Sequence, residues 1–77
     1  MNLPIAENNQ TVLVFKTNIR KRSEVEKLSS VFNKPEIIKW NIDLDDCDKV
    51  LRVVTTRLSY ADIIMETSEK GFECVEL

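Results

Sequence analysis

The sequence predicts an α+β domain in which four strands and two helices follow one another in the order βαββαβ. Four segments alternate apolar and polar residues with the period of a half-buried strand. Two further segments repeat apolar residues at intervals of three and four, as an amphipathic helix does, and each lies between two strand segments. The length of 77 residues limits the chain to a single domain of this kind.

The first strand and the first helix are predicted between positions 11 and 32. The run from Thr11 to Thr17 is rich in β-branched and aromatic residues, and its alternation places Leu13 and Phe15 on one face. Ser23 and Glu26 have the spacing of a capping box, so the helix is predicted to start there. The apolar stripe of this helix consists of Val25, Leu28, Val31 and Phe32. The Asn-Lys-Pro run that follows ends the helix.

The second strand is predicted from an alternation that runs from Ile38 to Leu44 and places Trp40 and Ile42 on the buried face. An acidic turn follows, made of Asp45, Asp46, Cys47 and Asp48. The third strand resumes between positions 49 and 56, so the two strands form a hairpin.

The second helix is predicted to begin at Ser59, because Asp62 follows it at the spacing of an N-terminal cap. Its apolar stripe consists of Tyr60, Ile63, Ile64 and Thr67. Gly71 stands where a left-handed residue ends a helix, and positions 72–77 form the closing strand.

This element order matches the ferredoxin-like βαββαβ sandwich, an antiparallel sheet with strand order 4-1-3-2 and both helices on one face. In that topology the loop after the first strand, the hairpin turn and the turn before the fourth strand meet at one end of the sheet. We expect a functional site there. Residues 1–10 are predicted to be a flexible leader and residues 11–77 the domain.

Composition excludes several function classes. Eleven basic and thirteen acidic side chains give a net charge of −2, which argues against a nucleic-acid partner. The absence of His excludes imidazole catalysis and imidazole ligands. No apolar run reaches the ~18 residues of a membrane span, and the first ten residues do not look like a signal peptide. We therefore expect a cytoplasmic protein that is not an enzyme and does not bind a membrane.

Four segments resemble the heavy-metal-associated domains of small copper chaperones and of metal-transporting ATPases. These segments are positions 15–19, 37–43, 49–51 and 70–72. The resemblance covers most of positions 11–77 and consists mainly of hydrophobic and turn residues, so it bears on the fold more than on activity.

The resemblance implies a C-x-x-C pair just after the first strand, where two thiolates bind a soft metal ion. Aligning Ile19 with the buried hydrophobic residue of the family places Lys21 and Glu24 at the two ligand positions. An ammonium group has no lone pair, and a carboxylate is a poor ligand for a soft ion. We therefore predict a degenerate member without the family's metal site or a cofactor, which acts as an interaction module.

The alternative function is a metal-binding or metal-transport accessory protein that holds Cu or Zn weakly. Cys47 is the candidate ligand, either with the acidic turn or with thiols of a second chain. Cys74 falls on the buried face of the last strand and is interpreted as a small hydrophobic residue.

A charge cluster is also predicted at the expected site. The basic triplet, Arg20, Lys21 and Arg22, is expected to pair with the carboxylates of the acidic turn, and Phe72 is expected to pack beneath the loop. Two other interpretations of these groups remain open: a phosphate at the first helix, and a weak divalent cation at the acidic turn.

The sheet face opposite the helices carries more aliphatic side chains than a solvated face requires, namely Val12, Val14, Val50, Val54 and Val75. This open face is predicted to bind a protein partner or a second copy of the chain.

Overall fold

The computed structural model of this protein describes residues 10–77, so the predicted leader lies outside the described residues except for Gln10. Six elements follow one another in the predicted order. They are β1 (Thr11–Thr17), α1 (Arg22–Val31), β2 (Ile37–Asp43), β3 (Val50–Thr55), α2 (Tyr60–Glu69) and β4 (Cys74–Glu76). The strands form one antiparallel sheet in the order β2-β3-β1-β4, which confirms the predicted topology. No helix among the described residues is both long and apolar enough to cross a membrane.

The hydrophobic core lies between the sheet and the two helices. Phe15 and Leu51 from the central strands are completely buried, together with Leu28 of α1 and Ile63 of α2. The Phe15 ring meets Tyr60 edge to face, with 5.1 Å between the ring centroids. The predicted apolar stripes of both helices therefore point into one core, where aromatic pairs add to the burial of apolar area.

The second strand differs from the prediction at its start. The sequence alternation placed Ile38 on the buried face, but Ile37 is 9% exposed and Ile38 is 44% exposed. A register shift between Ile37 and Lys39 changes the phase of the alternation against β3. Beyond this irregularity the prediction is confirmed, since Trp40 and Ile42 pack partly buried against the core.

The start of α1 also differs from the prediction. The helix begins at Arg22 with Lys21 as its N-terminal cap, so Ser23 lies inside the first turn and does not cap it. In α2, by contrast, Ser59 and Asp62 form the predicted capping box. Gly71 has a φ of 89°, the left-handed conformation expected of a residue that ends a helix.

Candidate functional site

Three loops meet at the end of the sheet where β1 finishes, as the topology predicts. The Thr17 N–H donates to the Asp48 carbonyl of the hairpin turn at 3.1 Å, and the Thr17 hydroxyl donates to the Lys49 carbonyl at 2.7 Å. On the other side, the Asn18 N–H donates to the Glu73 carbonyl at 3.2 Å, and the Glu73 N–H donates to the Asn18 side chain at 2.9 Å. The loop after β1 is therefore joined to both of its neighbours.

The loop after β1 is anchored by a buried apolar residue. Ile19 is completely buried and belongs to the same core cluster as Phe72, which is 7% exposed. The Ile19 N–H donates to the Thr17 hydroxyl at 3.3 Å. Both residues were predicted to be buried here, and their burial leaves the next three residues of the loop exposed to solvent.

Glu24 closes this loop onto α1. Its Oε1 accepts the Arg20 N–H at 2.7 Å, while the Lys21 carbonyl accepts the Glu24 N–H at 3.0 Å. The hydrogen bond from Arg20 is the main reason that the pKa of the Glu24 carboxyl is lowered, and the backbone and charge of Lys21 lower it further. The Glu24 N–H is one of the groups that a helix start leaves without a partner, and the Arg20 N–H lies just before the cap.

The sequence analysis did not find this role for Glu24. The signal was present, because Glu24 stands three residues after Lys21, the spacing at which a carboxylate reaches back to the start of a helix. It was missed because the cap was expected to be a serine. Ser23 was chosen for that reason, although it lies two positions after the actual cap, Lys21.

Two carboxylates, one at the end of β2 and one within the acidic turn, bond to the backbone of the turn. Asp43 Oδ1 accepts the Asp45 N–H at 3.1 Å, and Asp46 Oδ1 accepts the Asp48 N–H at 2.8 Å. The Lys49 ammonium donates to the Leu44 carbonyl at 2.8 Å. Short side chains that bond to nearby N–H groups stabilise turns in this way, so the carboxylates of Asp43 and Asp46 have a local structural use.

The expected pairing between the basic triplet and the acidic turn is absent. Within residues 10–77, no cation of the triplet lies within 4.0 Å of a carboxylate of the turn. Among residues 10–77, the cation that comes within 4.0 Å of a carboxylate of the turn is Lys16 of β1, whose Nζ lies 3.9 Å from Asp48 Oδ1. Arg22 shares a groove with Asp43 and Asp45 without forming an ion pair. The triplet is exposed, and an exposed pair contributes too little to hold long side chains in one place.

Soft-metal ligands are sparse at this end of the fold. The two cysteines are free thiols; Cys47 is exposed at the acidic turn and Cys74 is buried in the sheet. Burial raises the pKa of the Cys74 thiol, which disfavours the thiolate form that binds metals. Cys47 lies beside Asp46 and Asp48, and one ligand atom from each residue falls within 4.8 Å of the others. Neither thiol belongs to the loop that carries Lys21 and Glu24.

Comparison with known proteins finds a similar solved structure but no match in sequence. No protein-family model matches the chain, and no curated protein matches it in sequence. Among solved structures, the apo form of the HMA (heavy-metal-associated) domain of the copper chaperone for superoxide dismutase superposes with a TM-score of 0.75. The chain has the fold of a heavy-metal-associated domain. The match covers 88% of this chain and 67% of the other, and the sequences are 17% identical.

The heavy-metal-associated fold confirms the resemblance seen in the sequence at the level of architecture. At 17% identity the likeness shows the fold and carries no argument about the chemistry of the site. The function of this chain must therefore be argued from its own residues.

Proposed function

We propose that this protein is a non-enzymatic interaction module in which a heavy-metal-associated fold carries no soft-metal pair after β1. The observation that carries the proposal is the hydrogen bond from the Arg20 N–H to Glu24 Oε1. Glu24 stands at one of the two positions where the family resemblance implies a thiolate, and its carboxylate is committed to the loop backbone.

The chemistry of the other position supports the same conclusion. Lys21 caps α1 and is exposed, and its ammonium has donors but no lone pair for a metal ion. The glutamate therefore ties the loop to the helix by an internal hydrogen bond, and the loop keeps its shape with no need for an ion. The sequence contains no His and shows no nucleophile–base motif, which leaves it few groups for acid–base catalysis.

The open face of the sheet is the surface that we assign to a protein partner. Val12 and Val75 are 54% and 59% exposed on it, and Val12 borders a groove of about 300 Å³ that also contains Lys39 and Arg52. Val50, which the sequence analysis counted on this face, is 6% exposed and adds almost no accessible surface. Aliphatic groups beside two cations suit a partner that offers apolar side chains together with carboxylates.

Metal titration tests whether the chain lacks a soft-metal site. We expect neither Cu(I) nor Zn(II) to bind stoichiometrically with a Kd tighter than about 1 µM in the presence of a competing chelator. The double substitution Lys21→Cys and Glu24→Cys should create tight Cu(I) binding. It places two thiolates with the C-x-x-C spacing where the loop after β1 enters α1, and thiolates are preferred ligands of a soft ion. The matched control is Ser23→Cys with Glu26→Cys, which has the same spacing but begins within α1.

Two results would contradict the proposal. One is tight stoichiometric binding by the unaltered chain. The other is a double-cysteine variant at positions 21 and 24 that folds but binds Cu(I) no better than the control.

A second candidate function, a metal-handling protein with a weak site, is favoured by the grouping of Cys47 with Asp46 and Asp48. Asp46 already accepts a turn N–H and Asp48 faces Lys16, which reduces the ligands that remain. Under this alternative, Cys47→Ser abolishes Zn(II) or Cu(I) binding and Cys74→Ser leaves it unchanged. Our proposal expects no such difference.

A further inference from the structure

β2 has an unpaired outer edge in the part of the chain that the structure describes. It pairs only with β3 there, so its other edge has no strand beside it between residues 10 and 77. Trp40 and Ile42 are only partly buried at this edge and line the groove between β2 and α1. An open edge with apolar side chains is a template for another strand unless something blocks it.

The direction of the backbone groups can be followed across the sheet. The Leu77 N–H donates to the Val14 carbonyl, so even-numbered residues of β1 direct their backbone groups to β4 and odd-numbered residues to β3. In the register of β1 with β3, the odd-numbered residues of β3 direct their backbone groups to β1, so the even-numbered residues direct theirs to β2. Arg52 lies opposite Asn41, so the backbone groups of Asn41 point toward β3. The same alternation turns the N–H and carbonyl groups of Trp40 and Ile42 outward, where a further strand would meet them.

The sequence of β2 is self-complementary in charge about Asn41. Lys39 lies two residues before Asn41 and Asp43 lies two residues after it. All three are exposed, and the alternation of the strand and its register with β3 place them on one face of the sheet. In an antiparallel pair of two β2 strands centred on Asn41, Lys39 of each copy stands directly opposite Asp43 of the other. Shifting the centre by one residue in either direction loses this match within the strand.

From this charge pattern we infer that two copies of this chain associate through β2, antiparallel and centred on Asn41. Trp40 of each copy then exchanges backbone hydrogen bonds with Ile42 of the other, and these side chains cover each other on the helix side. Lys39 and Asp43 meet as a non-hydrogen-bonded pair, the type in which side chains come closest. The two four-stranded sheets become one continuous sheet.

The charges also make the edge of β2 selective for its partner strand. A lysine on an edge strand opposes pairing with most sequences, because its charge would be left without a partner. A second β2 supplies the compensating carboxylate, so the same residue that prevents general aggregation selects this one partner. The proposed dimer does not depend on whether the chain binds a metal ion. It can be tested separately from the proposed function.

Charge reversal tests the inference in the full-length chain by sedimentation equilibrium from low micromolar to about 1 mM protein. Lys39→Glu and Asp43→Lys each place like charges opposite one another twice in the dimer. We expect each to weaken dimerisation by at least about tenfold. The double variant with both changes should dimerise as the unaltered chain does, and an equimolar mixture of the two single variants should form a heterodimer. Circular dichroism of each variant confirms that it is folded.

Arg52→Glu is the matched control, since it makes the same change in charge on the same face but one strand inward, opposite Asn41. The edge dimer predicts that Arg52→Glu keeps its dimerisation within about twofold of the unaltered chain. A chain that stays monomeric at every concentration overturns the inference. So does a dimer that resists both single reversals, or one that Arg52→Glu dissociates and Lys39→Glu does not.

Discussion

At the scale of single residues, the loop after β1, the acidic turn and the start of α2 are each stabilised by carboxylates that bond to backbone N–H groups. Glu24, Asp43, Asp46 and Asp62 each accept at least one such bond. These acceptors close loops and start helices, which is a structural use of negative charge. Two of them, Glu24 and Asp62, have lowered pKa values for that reason. Part of the negative charge of the protein is therefore committed to its own turns and helix starts.

Replacing Glu24→Gln should lower the Tm at pH 7, because an amide oxygen is a weaker acceptor than a carboxylate. The pKa of Glu24 is lowered in the folded state, so its contribution to stability is present above the usual value of 4.5 and is lost as the pH falls through the folded pKa. The difference in Tm between the two proteins should therefore shrink below pH 4.5. Thermal melts followed by circular dichroism between pH 3 and 7 measure it.

Glu26→Gln is the control for this series, since it changes an exposed carboxylate of the same helix. A Tm difference for Glu24→Gln that stays constant with pH, or one equal to that of Glu26→Gln, would show that the bond to Arg20 contributes nothing to folding.

At the scale of elements, the two helices start by different means. α2 uses Ser59 and Asp62 in a reciprocal capping box, whereas α1 has Lys21 at its cap and no side-chain cap bond. α1 relies instead on Glu24 reaching back to the preceding loop. The start of α1 is thereby bound to the loop that follows β1, and the two form one unit.

Ser59→Ala should destabilise the protein by about 1 kcal/mol, because the Asp62 N–H loses its acceptor at the start of α2. Ser23→Ala, at the position first expected to cap α1, should change the free energy of unfolding by less than about 0.5 kcal/mol. Urea denaturation measures both. Equal losses for the two serines would mean that α1 is capped by Ser23 after all.

At the scale of the whole molecule, the sheet divides the protein into a packed side and an accessible side. Leu51 and Phe15 face the helices and are completely buried, while Val12 and Val75 on the other side are more than half exposed. The core therefore depends on one face of the sheet. The open face and the edge of β2 are the surfaces that we propose for a protein partner and for a second copy of the chain.

Leu51→Ala should destabilise the protein by about 2–5 kcal/mol, because it leaves a cavity between the sheet and the helices. Val75→Thr keeps a β-branched side chain on the accessible face and should change the free energy of unfolding by less than about 0.5 kcal/mol. Urea denaturation of the two variants compares the faces. A large loss for Val75→Thr would place part of the core on the open face and weaken its assignment to a partner.

The sequence by itself determined the element order, the core stripes and the topology, because the periods of strands and helices are set by backbone geometry that short segments already express. Val31 and Phe32, Ser59 and Gly71 were each placed correctly on this basis. The same local reasoning located the end of the sheet where three loops meet.

Only the tertiary structure decided which polar groups meet. The irregular register of β2 buried Ile37 in place of Ile38, and Lys16 approached Asp48 where the basic triplet was expected. Glu24 bonded to Arg20, a contact that depends on the path of the loop. Such pairings are set by distances across strands and loops, and exposed charges gain too little from any one partner for sequence pattern to fix the choice.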